Sequence, residues 1–137
     1  MRFDTKFAIV VRDDLATWQK LNVTAFLATG VAHATDTVMG EKPYEDADGN
    51  AYLALAREPV LVYAADAAEL QRTRERALKR GLHTGIYTEE IFATDNDDDN
   101  RAAVKPVPAA ELNLVGLALY GPRNQVDRTT KGLKLHA

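Results

Sequence analysis

Apolar and polar positions fall in blocks along this chain, and the blocks follow two different periods. Lys6-Phe7-Ala8-Ile9-Val10-Val11-Arg12 is apolar without a break at its centre. Such a run predicts a strand in a sheet covered on both faces. Asp13-Asp14 ends the run and offers carboxylates to the free amides of a following helix. Thr17 to Met39 reads as one long helix. Trp18, Leu21, Val23, Phe26, Leu27 and Val31 occupy most of its circumference, so the helix is expected to be largely buried. Gly30 lies mid-helix at a cost of about 1 kcal/mol relative to alanine, which a close approach of another element would explain.

Residues 41–51 are polar and rich in turn formers. Asp48-Gly49 signals a two-residue hairpin turn, with Ala51-Tyr52-Leu53-Ala54-Leu55 as the second arm. Pro59 to Ala64 predicts another buried strand, with proline tolerated at its first position. Asp66-Ala67-Ala68-Glu69 is a capping box. It opens a helix that runs to Lys79-Arg80 and stops at Gly81, with basic residues at the negative end of the helix dipole. Ala67, Leu70, Ala77 and Leu78 form its inner face, and Arg72, Arg76 and Arg80 its outer one. Leu82 to Tyr87 is a third strand, and Thr88 to Phe92 a short helical turn. Residues 93–108 read as an acidic loop with two prolines. Leu114 to Tyr120 is a fourth strand, ended by Gly121-Pro122. A short helix is expected within 123–131, then a final extended piece, Leu133-Lys134-Leu135. Strands alternating with helices predict an α/β sandwich with a mixed sheet.

Composition narrows the class. At 137 residues the chain suits a single domain, 1–137, and 46% hydrophobic with 27% charged residues excludes global disorder. The absence of cysteine excludes disulfides, thiolate nucleophiles and Cys-ligated metals, and fits a cytoplasmic protein. No run reaches the roughly 18–20 apolar residues of a membrane span, and the N-terminus lacks the layout of a secretion signal. The net charge of −3 is unevenly spread: −3 over residues 1–56, +2 over 57–80, −6 over 81–100 and +4 over 101–137. The acidic block between two basic ones argues against a protein that coats nucleic acid.

Motif chemistry is sparse. No GxGxxG, P-loop, HExxH or GxSxG pattern occurs. Asp95-Asn96-Asp97-Asp98-Asp99-Asn100 starts like a calcium loop. Asn100 stands at the glycine position, and Pro106 at the position of the bidentate glutamate. A solvated acidic loop is the better reading. His33, His83 and His136 lack metal-ligand spacing, so neither a metal nor a cofactor is implied. Arg72, Arg76, Lys79 and Arg80 suit a solvated face better than a phosphate grip, since Glu69 and Glu75 share their helix. Asp13, Lys20, Glu89 and Glu90 follow strand ends, where α/β folds gather functional groups.

Taken in order, several segments resemble type II peptidyl-tRNA hydrolase. The opening Lys6…Val10-Val11-Arg12-Asp13-Asp14-Leu15, the later Val31-Ala32-His33-Ala34 and the closing Gly121-Pro122…Asp127…Thr130…Leu133-Lys134-Leu135 carry the likeness. The resemblance implies a three-layer α/β sandwich around a four-stranded mixed sheet, often dimeric. It also shows departures. Phe26 stands where the hydrolases carry their catalytic lysine, Gly30 where they carry glutamine, and Gly116 where they carry a functional threonine. Their Asp and Thr after the third strand align with Glu89 and Ala93, with Thr94 adjacent. The pattern looks like a bacterial offshoot family of uncharacterised function, grouped by fold with the hydrolases.

Three functions follow as expectations, the third a purely structural or regulatory homodimerisation module. In the first, the protein has the hydrolase fold without its activity and binds a small ligand or partner at the sheet edge near Arg12, Asp13, Lys20 and Glu89, with His33 and Arg123 as further ligand-binding candidates. In the second, it is an active hydrolase on peptidyl-tRNA or another acyl ester, with a relocated site. Lys20 would stabilise charge, Glu89 would activate water, Thr94 would orient substrate, and Arg72, Arg76 and Arg123 would hold tRNA phosphates. The first is favoured, because the lysine and threonine positions are substituted.

Overall fold

A computed structural model describes residues 2–137. The elements in chain order are β1 (Thr5–Arg12), α1 (Thr17–Ala34), β2 (Tyr44–Glu45), β3 (Ala51–Tyr52), β4 (Val60–Ala65), α2 (Ala67–Lys79), β5 (His83–Thr88), α3 (Asp97–Val104), β6 (Leu114–Pro122), α4 (Arg123–Thr129) and β7 (Lys134–Leu135), with 3-10 turns at Glu89–Ala93 and Ala109–Glu111. Five strands form one sheet in the order β5-β6-β1-β4-β7, and β2 and β3 pair separately as a hairpin. β1 is parallel to β4, with Ile9 opposite Val62, and antiparallel to β6, with Ile9 opposite Ala118.

The unbroken apolar run of β1 is explained by the two faces it serves. Phe7, Ile9 and Val11 pack with Val23, Leu27 and Val31 of α1. Ala8 and Val10 pack on the opposite face with Leu70 and Ala77 of α2 and Val126 of α4. Successive side chains of a strand point to opposite faces, so a central strand between two helical layers has no polar face to offer. No helix among the described residues is long and apolar enough to cross a membrane.

The local signals were reliable where they were complete. Asp66 accepts from the Glu69 amide while Glu69 accepts from the Asp66 amide, and α2 ends before Gly81 at φ +66°. Gly49 takes φ +85° in the hairpin turn.

Several expectations need correction. The sheet has five strands rather than four, because the closing extended piece pairs with β4 through Tyr63–Leu135 and Ala64–Lys134. α1 stops at Ala34, five residues before Met39. Thr35 is extended at φ −145°, and its hydroxyl accepts from the Thr37 amide. Beyond it, Met39 bridges to Ala56 and the Gly40 amide donates to Leu55, so this segment is recruited to anchor the hairpin. Only Val23, Leu27 and Val31 of α1 are buried; Ala28 packs partly against the core, and Trp18, Leu21 and Phe26 are exposed.

Asp13 and Asp14 do not cap α1: its N-cap is Ala16, whose amide donates to Gln19 Oε1. No element approaches Gly30. The second hairpin arm is only Ala51–Tyr52. In α2, Ala67 and Leu78 are exposed, and Thr73 and Arg74 are buried in their stead. The acidic segment contains a helix, α3. The Asn96 side chain caps it, and three aspartates sit at its positive end, where the helix dipole favours them.

Candidate functional site

A groove runs between α1 on one side and β5 with the following turn and α3 on the other. Trp18, Asn22 and Phe26 recur every four residues and so share one face of α1. Opposite them stand Tyr87, at the end of β5, and Phe92, in the 3-10 turn. A register shift between Tyr87 and Thr88 interrupts the β5–β6 pairing beside the groove. Such irregularities re-aim side chains next to binding sites.

The four rings are linked by two edge-to-face contacts and one tilted contact. Trp18 and Phe92 have centroids 5.8 Å apart at 66°, Tyr87 and Phe92 5.1 Å at 48°, and Phe26 and Tyr87 5.9 Å at 85°. Steep mutual angles are the favoured geometry for aromatic quadrupoles, and they make a curved wall rather than a stack. Asn22 Nδ2 donates to Tyr87 Oη at 3.3 Å. Burial pushes the Tyr87 phenol up, and the Asn22 bond opposes that shift. Trp18 is 62% and Phe26 53% exposed, although both are large apolar rings.

The groove has two compartments that share Phe26, Tyr87, Ile91 and Asn100. One, of about 460 Å³, is walled by the aromatics and floored by Thr94, Asp95 and Asp97. The other, of about 660 Å³, is lined mainly by Leu27, Gly30, Gly85, Ile86 and Val104, with Arg101 and Lys105 at its rim. Both volumes lie in the range of small-molecule sites, roughly 300–1,000 Å³. Thr94 Oγ1 donates to the Ile91 carbonyl at 2.9 Å and also contacts the Asn100 side chain. Arg101 is held by Asp97 at 2.5 Å and Asp98 at 2.7 Å, both of which raise its pKa.

A second polar group lies at the sheet edge. Arg12 Nε meets Asp14 Oδ1 at 2.6 Å, its Nη1 meets Asn113 Oδ1 at 3.1 Å, and its Nη2 stands 3.8 Å from Glu89 Oε1. Asn113 Nδ2 donates to Glu89 Oε2 at 2.6 Å. The guanidinium and the carboxylate are therefore tied into a closed network. Among the described residues no group of three or more His, Asp or Glu side chains is placed to hold a metal ion.

Residues 5–137 match the family described as "Protein of unknown function (DUF2000)". The chain belongs to the DUF2000 family. A solved structure from Agrobacterium tumefaciens, the protein of unknown function Atu0240, is 46% identical in sequence. It superposes with a TM-score of 0.95 over 99% of this chain and 100% of that one. No curated protein matches the chain. Kinship with the hydrolases rests on the residue resemblance alone.

In this DUF2000 chain the residues singled out from sequence lie in five places. Arg12 and Glu89 meet at the sheet edge, and Asp13 adjoins them, its amide donating to Ala65. Thr94 lines the aromatic compartment. Lys20 sits two residues from Trp18 and from Asn22, a rotation of about 200°, so it leaves the other side of α1. There its Nζ lies 3.1 Å from His136 Nε2. His33 is exposed in the last turn of α1. Arg123 binds the Phe3 carbonyl at 2.8 Å beside Pro122, which pairs with Thr5 at the start of β1, the opposite end from Arg12. Sequence reasoning missed Trp18, Asn22, Tyr87 and Phe92. The four-residue spacing of Trp18, Asn22 and Phe26 was a readable signal, but their partners come from an element some 65 residues away.

Proposed function

We propose that this protein binds a small organic ligand in the groove between α1 and β5–α3, on a peptidyl-tRNA hydrolase II-like frame that lacks hydrolase chemistry. The observation that carries this reading is the aromatic wall itself. Compact proteins seldom leave adjacent large rings in water at the mouth of a cavity unless something covers them. The departures from the hydrolase pattern support it. Phe26, where the resemblance expects the catalytic lysine, packs its ring against Tyr87. Space for a side chain at Gly116, where it expects threonine, is taken by Val23 and Leu27. A frame retained with its reacting groups replaced does not carry the activity with it. The relocated hydrolase is less well supported, since Lys20, Glu89 and Thr94 have separate partners and no shared cavity.

Two measurements test this reading. Purified protein is assayed on peptidyl-tRNA beside an active type II enzyme, and the expected result is no turnover. Amide spectra are recorded with choline, 3,3-dimethylbutan-1-ol and 3,3-dimethylbutanoate, probes of one shape and three charges. Shifts at 18–30 and 85–105 from at least one probe are expected. Turnover by the native protein, or cleft resonances unmoved by all three probes, overturns the reading.

A further inference from the structure

We propose that the aromatic compartment selects an organic cation, a substituted ammonium group whose apolar remainder extends into the neighbouring compartment. This rests on the groove being a ligand site and specifies its ligand class. Aromatic rings carry negative charge on their faces, so a cavity lined by several of them favours a positive, weakly hydrated guest. The wall of Trp18, Phe26, Tyr87 and Phe92 has that form.

The floor matches it independently. Asp95 and Asp97 line the same cavity, and no lysine or arginine does. Arg101, the nearest cation in sequence, is engaged by Asp97 and Asp98, while Asp95 accepts from Asn96 Nδ2. Residues 81–100 carry six carboxylates and no lysine or arginine, so the potential at this end of the groove is negative. An anionic guest would meet those carboxylates, and a neutral one would gain no charge attraction from them.

The apolar compartment continues from this site past Phe26. Nothing lies within 4 Å of a side-chain position at Gly30, and an apolar chain has open room along that face of α1. The guest best matched to the groove has a small alkylammonium head in the aromatic end and an apolar body beyond.

The test compares affinities from the same titrations. Choline is expected to bind about tenfold more tightly than its neutral isostere 3,3-dimethylbutan-1-ol, with 3,3-dimethylbutanoate weakest. Asp95→Asn, an exposed substitution, should weaken choline several-fold and leave the alcohol unchanged. Trp18→Leu keeps an apolar side chain but removes the ring, and should also weaken choline more than the alcohol. Equal affinity for choline and the alcohol, or preference for the carboxylate, overturns the cation assignment while the groove stands as a ligand site. Cleft resonances unmoved by all three probes remove both.

Discussion

Gly116 shows how one position sets the packing of α1 on the sheet. A β-carbon there would overlap Val23 Cγ1 and stand 3.0 Å from Leu27 Cδ1. Both side chains belong to the buried strip by which α1 lies on the sheet. The missing side chain therefore lets α1 lie close on β6. Gly116→Thr should destabilise the protein by about 2 kcal/mol through overpacking, read as a lower urea midpoint. Val23→Ala combined with it should recover part of that loss, whereas additive losses would show that the two side chains do not compete. From sequence the glycine was legible only as a replacement. Its cause lies in a helix nearly a hundred residues earlier.

At the scale of elements, the hairpin of β2 and β3 is organised by a single carboxylate. Asp46 accepts from the Asp48 amide at 3.0 Å, the Asn50 amide at 2.9 Å, Asn50 Nδ2 at 3.0 Å and Tyr52 Oη at 2.7 Å. These bonds, that from the Asn50 side chain foremost, push its pKa down to about 2. A folded-state pKa below the ordinary carboxylate value means that the charge supports the turn above about pH 4 and is lost as pH falls through about 2. The Asn50 amide resonances should accordingly hold their positions down to about pH 3 and move below it. Asp46→Ala should speed hydrogen exchange at Gly49 and Asn50 and leave the global urea midpoint unchanged, because the hairpin stands apart from the main sheet. A matching fall in global stability would instead make the hairpin part of the core's cooperative unit. Elements with local instructions, such as α2 with its capping box and glycine stop, were legible to within a residue or two. α1 was read too long because the extended Thr35 that ends it answers to hairpin anchoring further along.

For the whole molecule, β7 has an effect beyond its two residues. It pairs with β4 and covers what would otherwise be an open sheet edge. Removing residues 133–137 exposes the β4 hydrogen-bonding edge and frees Lys20 from His136. Exposed edges template pairing with other chains. The truncated protein should show concentration-dependent association in sedimentation velocity beyond that of the full chain. Identical sedimentation of the two proteins would show that β4 is protected without β7.

The chain's own order of residues determined what neighbours in sequence can decide. The apolar run of β1, the capped start and glycine stop of α2 and the Asp48-Gly49 turn all depend on backbone preferences and hydrogen bonds spanning a few residues. The tertiary structure decided which side chains meet. The strand order β5-β6-β1 sets β5 beneath the flank of α1, so Tyr87 and Phe92 face Trp18, Asn22 and Phe26 across a groove that no local pattern announces. The same packing buries only one strip of α1 and leaves Trp18 and Phe26 in water. Hydropathy records which residues avoid water, but the partner surface that a helix face meets is set by how distant segments stack on the sheet.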